Sequence, residues 1–398
     1  MVQNKHFKAR IRGRMAKTGE SYTAARRQLL AAPTPAPAPA PAAGLLPGYR
    51  PQAIATQRDA GLWSRVLAHA GVADPLTGEP LSEAMLAGLA GGIGFMIFTF
   101  EYQEVTTATV VTRFHPGPYV GNLIARSGAA IEQQTTGSPA VARTRLESAL
   151  DTGAAVVVRL TPSRLTGTVS EYEESADVVV AGRSEGRYLI DDGGGGVEAC
   201  GPAELAAARA GRKTDKHWQA HVTGTGTKNP DVHEAHVRSA IRDTAEALLS
   251  THGQAGIPER FSRNFGINGI RTWADRLRDI RTRKGWPAMF ADDERRSQAL
   301  TQIQGFLAGD EWSGPGALRP LYARFLEEAA GIDGLAALRD VAPLYEALGT
   351  RWDGLADMID PGCPAGDRAA HFADLAATLE ALALDEETAA NALLRAAT

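Results

Sequence analysis

Between residues 52 and 222 the hydrophobic positions change period repeatedly. Gln57–Gly71 places Leu62, Val66 and Leu67 on one face at helical spacing and ends at a glycine. Ser82 is placed to cap a second, short helix, Glu83–Leu89, which runs into Gly91-Gly92-Ile93-Gly94. Phe95–Phe100 reads as a buried strand from its apolar and aromatic content, and Thr106–Thr112 as a β-branched strand. Tyr119–Ser127 and Thr144–Ala149 are helix-like. Val156–Leu160 and Val178–Ala181 are dense valine runs typical of central strands, and VVVAGRSEGRYLIDD reads as a hairpin returning through Arg187–Ile190. Helix Pro202–Ala210 closes the domain.

Residues 223–232, TGTGTKNPDV, form a turn-rich joint. Beyond it the period is helical: His233–Thr251, Asn268–Lys284, Asp293–Ala308, Ala317–Ala330, Leu335–Met358 with a break near Pro343, and Asp367–Ala397. Strands mixed with helices, then helices alone, predict an α/β (α+β) domain over 52–222 and an all-helical C-terminal domain over 233–398.

Ahead of both lies a different kind of chain. Residues 1–31 read as a basic segment of two short helices, broken at Thr18-Gly19, with Ser21 capping the second. Residues 1–30 carry eight Lys/Arg and one Glu, a charge of +7 on a chain whose total is −4. Residues 5–27 are thus a candidate contact for nucleic acid or an acidic partner, or else a solvated tail. Residues 32–51 are a linker, and the Pro-Ala run at 33–43 favours extended polyproline II of about 30 Å.

Composition narrows the classes. With 398 residues, 44% hydrophobic and 22% charged, the chain suits two compact domains plus tails. Two cysteines, Cys200 and Cys363, stand in no paired spacing, so neither a disulfide framework nor a cysteine-rich zinc site is expected. The longest apolar run, around Met96–Phe100, is far below the roughly 20 residues of a membrane helix. No apolar stretch follows the basic start as in a secretory signal. A cytoplasmic protein without membrane contact, metal or cofactor is the expectation.

The stretches LWSRVLAHAG, LSEAMLAGLAGGIGFMIF and VVVAGRSEGRYLIDD resemble the N-terminal domain of the butirosin biosynthesis protein H family. RNFGINGIRTWADRLRDIRTRKGWPAMF and ALRPLYARFLEEAAGI resemble the helical domain of unknown function that commonly follows it. The resemblance implies a papain-like cysteine-protease-type core. In the family's type member that core moves an acyl group from an acyl-carrier protein to an amine of an aminoglycoside. Such chemistry needs a thiolate at a helix N-terminus, a histidine base on a strand, and an acidic or amide group to orient the base.

On that resemblance the nucleophile falls near Gln57-Arg58-Asp59 and the histidine near Ala176-Asp177-Val178, where this sequence has neither; Asp191 or Asp192 keeps the third place. Asp59, Asp177 and Asp191 become the catalytic candidates, a carboxylate cluster able to bind a cation or amine or to act as an acid/base pair. The bland alternative makes Asp59 a helix cap and Asp191-Asp192 a turn. Thr56 and Ser64 are weaker hydroxyl nucleophiles, since no histidine lies near to activate them. Arg113, His115, Tyr102 and Arg271 are the substrate-binding candidates, and Trp273, Arg319 and Tyr322 are noted beside them. Gly91–Gly94 have helix before and strand after, the reverse of a phosphate loop, and read as close-packing glycines. His217 with His221 and His233 with His236 have zinc-capable spacings, yet read as surface histidines for want of a completing ligand.

Two functions follow as expectations. One is a catalytically altered or inactive butirosin-H-like acyltransferase binding a small molecule or carrier-borne acyl group in secondary metabolism. Its partners would be an acyl-carrier protein and a small-molecule amine, with self-association as a further expectation. The other is a regulatory protein that uses its basic N-terminal helices.

Overall fold

The computed structural model describes residues 43–54, 56–101, 106–113, 119–166, 175–226, 229–252, 258–308 and 314–397. The basic segment 5–27, Tyr102 and His115 lie outside the described residues. A mixed α/β region is followed by a helical one, as the hydrophobic pattern predicts. Contacts divide the chain into two units. Among the described residues, one takes 43–86 together with Ile124–His233, the other Ala87–Leu123 with 234–397.

The first unit is built on a six-stranded antiparallel sheet in the order β3-β8-β4-β5-β6-β7. The strands are β3 (Ala130–Gln134), β4 (Val156–Leu160), β5 (Ala176–Ser184), β6 (Arg187–Asp191), β7 (Glu198–Cys200) and β8 (Gln219–Gly224). Because side chains alternate across a strand, Val156, Val158, Val178, Val180 and Ile190 share one face. They pack there with Leu146, Ala149 and Leu150 of helix α4 (Pro139–Asp151) and with Leu205 and Ala208 of α6 (Pro202–Arg209). Arg159, Asp177, Val179 and Asp191 alternate onto the opposite face. Helix α1 (Arg58–His69) packs against β5 and β8 and buries Leu62, Trp63, Val66 and Leu67.

Residues 44–54 are strapped to this sheet. Leu45 bridges Gly182 and Ala53 bridges Gly194. Gly182 interrupts the β5–β6 register, and a Cβ there would stand 2.2 Å from the Gly44 carbonyl oxygen, so only glycine lets the strap approach.

The second unit contains α7 (Pro230–Leu249, whose first turn belongs to the sheet unit), α8 (Gly266–Arg278), α9 (Trp286–Met289), α10 (Asp293–Ala308), α11 (Arg319–Ala329), α12 (Leu338–Met358) and α13 (Arg368–Ala396). It also takes in the antiparallel hairpin of β1 (Ile93–Glu101) and β2 (Thr106–Arg113). Phe95 of β1 stacks on Trp273 and Trp352, with centroids 6.3 and 5.8 Å apart. Gly92 lies against the ring of Tyr322, a close-packing position as its run suggested, and Gly88, in α2 (Glu83–Leu89), lies likewise against Phe325. The remaining helices are α3 (Tyr119–Arg126) and α5 (Pro162–Thr166).

Several boundaries depart from the sequence reading. Phe100, expected buried, is 49% exposed at the far end of β1. Pro343 does not break α12; one missing backbone bond is outweighed by a buried face that includes Val341, Tyr345 and Leu348. α11 begins at Arg319, two residues late, because Ala317 and Leu318 are left-handed (φ 56° and 66°). His221 is on strand β8, not on a helix, and His217 and His233 are buried rather than on the surface.

Candidate functional site at the start of α1

α1 starts at Arg58 because Gln57 is extended and turns its side chain back, its Oε1 accepting the Ala60 N–H at 2.6 Å. Asp59, the cap in the simpler reading, sits in the first turn instead, where a carboxylate suits the helix dipole. Glu83, the first residue of α2, fixes the approach: its Oε1 accepts the N–H of Thr56 at 3.0 Å and that of Gln57.

Facing this helix start are Arg159 and Asp177, direct cross-strand neighbours on β4 and β5. The guanidinium grips the carboxylate with both arms, Nε to Oδ1 at 2.7 Å and Nη2 to Oδ2 at 3.0 Å. Its carbon lies 4.6 Å from the centroid of the Trp218 ring. Arg58 Nη2 donates to the Asp177 carbonyl oxygen at 3.2 Å. The charges of Asp59 and Asp215 also act on Arg159, and that of Asp59 on Asp177. Ser175 donates its hydroxyl to Asp215. Burial pushes the Asp177 carboxyl above its ordinary range, with Arg159 pulling the other way.

Trp218 is held by a strained turn. Lys216 and His217 are both left-handed, with φ of 45° and 46°. Their carbonyls are taken by Thr136 N–H and Arg209 Nη2, each at 2.7 Å, which fixes the turn that presents the indole.

Asp191 lies on the same sheet face, opposite Val179 and two residues along from Asp177. It has no exposed surface and a closed set of partners. Tyr49 of the strap donates to Oδ2 at 2.7 Å, Arg65 Nη1 reaches both oxygens at 2.8 and 2.6 Å, and Gly193 N–H reaches Oδ1 at 2.8 Å. Burial and the Asp191 charge push the Tyr49 hydroxyl far up. The structure therefore brings Asp59 and Asp177 together and gives Asp191 an arginine of its own. Asp192 makes a turn bond to Gly194 N–H.

The other candidates have contacts of their own. Arg113, at the end of β2, lies over the Tyr119 ring at 5.3 Å, and Arg271 pairs with Glu387 at 2.8 Å; both belong to the second unit. Ser64 Oγ donates to the Leu81 carbonyl at 2.8 Å. Cys200 points into the sheet face away from α1, and burial, then Glu204, raises its thiol. Cys363 is in the second unit. Among the described residues no group of three or more His, Cys, Asp or Glu is arranged to hold a metal ion.

Sequence reasoning missed Arg159, Trp218, Asp215, Arg65 and Tyr49. One signal was present. Arg159 is a charge inside a valine run, and Asp177 is a charge at the edge of the next one. Antiparallel pairing of those two runs brings the charges face to face.

Residues 59–193 match the family described as butirosin biosynthesis protein H, N-terminal. Residues 203–393 match a domain of unknown function, DUF4872. Among curated proteins no match is found. Among the described residues no helix is long and apolar enough to cross a membrane. The chain thus carries, in this order, the N-terminal domain of the butirosin biosynthesis protein H family and the DUF4872 domain.

Proposed function

We propose that this protein is an acyltransferase-family member with altered or lost chemistry, which holds a small molecule or a carrier-borne acyl group at the start of α1. The family match supports the acyltransferase-like descent and the setting in secondary metabolism. The observation that carries the rest is the Arg159–Asp177 pair. At the strand position where the resemblance places an imidazole base, a carboxylate is locked into a two-armed ion pair whose guanidinium lies over the Trp218 ring. A carboxylate so held is a poor general base, and Cys200 packs on the other face of the sheet. Asp59, a half-buried carboxylate whose charge acts on both members of that pair, instead suits binding of a small molecule that carries an amine.

Intact-protein mass spectrometry after incubation with an acylated carrier protein tests this reading. Retention of the acyl group on the carrier, together with calorimetric binding of an amine that weakens in Asp59→Asn, is the expected result. A covalent acyl adduct, or transfer of the acyl group to the amine, would overturn it.

A further inference from the structure

The two family matches do not coincide with the two structural units, and the exchange runs in both directions. The first match, 59–193, includes β1 and β2, which are embedded in the helical unit. Fully buried Arg319 donates to the carbonyls of Gly94 and Thr112 at the base of that hairpin, at 3.1 and 2.6 Å. Thr244 donates to the Gly91 carbonyl at 2.8 Å, and Arg276 to Thr99 Oγ1 at 2.9 Å. Phe95 fills the space between Trp273 and Trp352.

The second match, 203–393, includes β8, which lies inside the sheet of the other unit, between β3 and β4. Among the described residues β3 has no other partner strand. The same segment supplies Trp218 and Asp215 to the group around Arg159.

We propose that the two family segments are interlaced, each completing the core of the other, and that DUF4872 completes the candidate site by supplying Trp218 and Asp215. The second clause rests on the functional reading above; the first does not. The physical reason is that each segment alone leaves buried groups without partners. Without the hairpin, Arg319 loses two carbonyl acceptors and the Trp273–Trp352 gap is left unfilled. Without β8, the inner edges of β3 and β4 expose unpaired backbone groups.

The test uses the full chain with a specific protease site inserted after Gly196, where an added Cβ meets nothing within 4 Å. After cleavage, the two pieces are expected to stay together through size exclusion and to separate only in denaturant, or to lose their structure together. Two pieces that part in native buffer, each retaining its structure, would overturn interlacing. Hydrogen exchange on the unmodified chain gives a second measure. Amides of Ile97 and Val110 are expected to open with those of α11 and α12, and amides of β8 with those of β4. Hairpin amides that open with the sheet would refute the exchange. Trp218→Ala addresses the site clause: a tenfold or greater loss of amine binding with unchanged acyl-carrier retention supports it. Unchanged binding would remove that clause and leave the functional reading standing.

Discussion

Arg319 and Glu386 form an ion pair from which water is excluded: neither side chain has exposed surface, and Nε meets Oε1 at 2.8 Å. The same oxygen accepts from Trp352 Nε1 at 2.7 Å, and the guanidinium lies 5.2 Å from the centroid of that indole. Three carbonyls, of Thr112, Ala317 and Gly94, take further N–H groups of Arg319. The two halves of the pair are therefore unequal. Arg319→Met strands a buried carboxylate and is expected to lower stability by about 3–5 kcal/mol. Glu386→Gln leaves the guanidinium its carbonyl acceptors and is expected to lower it by about 1–2 kcal/mol. Urea denaturation of both variants checks the ranking; equal losses would refute the asymmetry.

The Arg159–Asp177 pair makes a related prediction at the candidate site. Asp177 is 5% exposed and the Arg159 side chain 30%, so part of the interaction is screened. Arg159→Ala leaves a buried charge facing Asp59 and is expected to lower stability by about 2–3 kcal/mol. Adding Asp177→Asn removes that charge and is expected to recover part of the loss. A double variant less stable than Arg159→Ala would mean that the carboxylate is held by other partners.

Gly92 and Gly196 give a matched contrast. Gly92 has φ of +61°, and a Cβ there would meet the Tyr322 ring at 2.4 Å. Gly196 has open space around it. Gly92→Ala combines a left-handed backbone with a clash in a packed core, and is expected to lower stability by about 2–4 kcal/mol. Gly196→Ala is expected to change it by less than about 0.5 kcal/mol. Thermal melts of both variants decide, and a tolerated Gly92→Ala would show that Tyr322 can move aside.

Much of this fold was legible because its strongest elements announce themselves locally. The Val156–Leu160 run needs burial on both faces, and Glu83–Leu89 carries its own cap in Ser82, whose Oγ accepts the Met85 N–H at 2.8 Å. β3 and β8 were illegible for the complementary reason. Ala130–Gln134 is polar and lies at the sheet edge, and Gln219–Gly224 is a strand only because β3 and β4 flank it. The site was half legible. Asp59 and Asp177 could be named from the resemblance, but their arginine comes from another strand. Trp218 arrives through a left-handed Lys216–His217 turn that propensity disfavours.

That turn also carries a pH dependence. His217 is 8% exposed, and burial, then the nearby Arg209 charge, lowers its pKa below the ordinary 6.5. The folded state thus takes up a proton less readily than the unfolded chain. The stability this contributes is fully present above about pH 6.5 and is lost as pH falls through the lowered folded value. Asparagine does not titrate and tolerates the left-handed conformation, so His217→Asn removes the proton linkage without forcing the backbone. Melting temperatures measured from pH 7.5 to 4.5 are expected to fall more steeply for the native chain than for His217→Asn. Trp218 fluorescence should shift over the same interval in the native chain, as protonation sets an imidazolium against Arg209 and loosens the turn beneath the indole. Parallel melting curves for the two proteins would show that His217 is protonated equally in the folded and unfolded states.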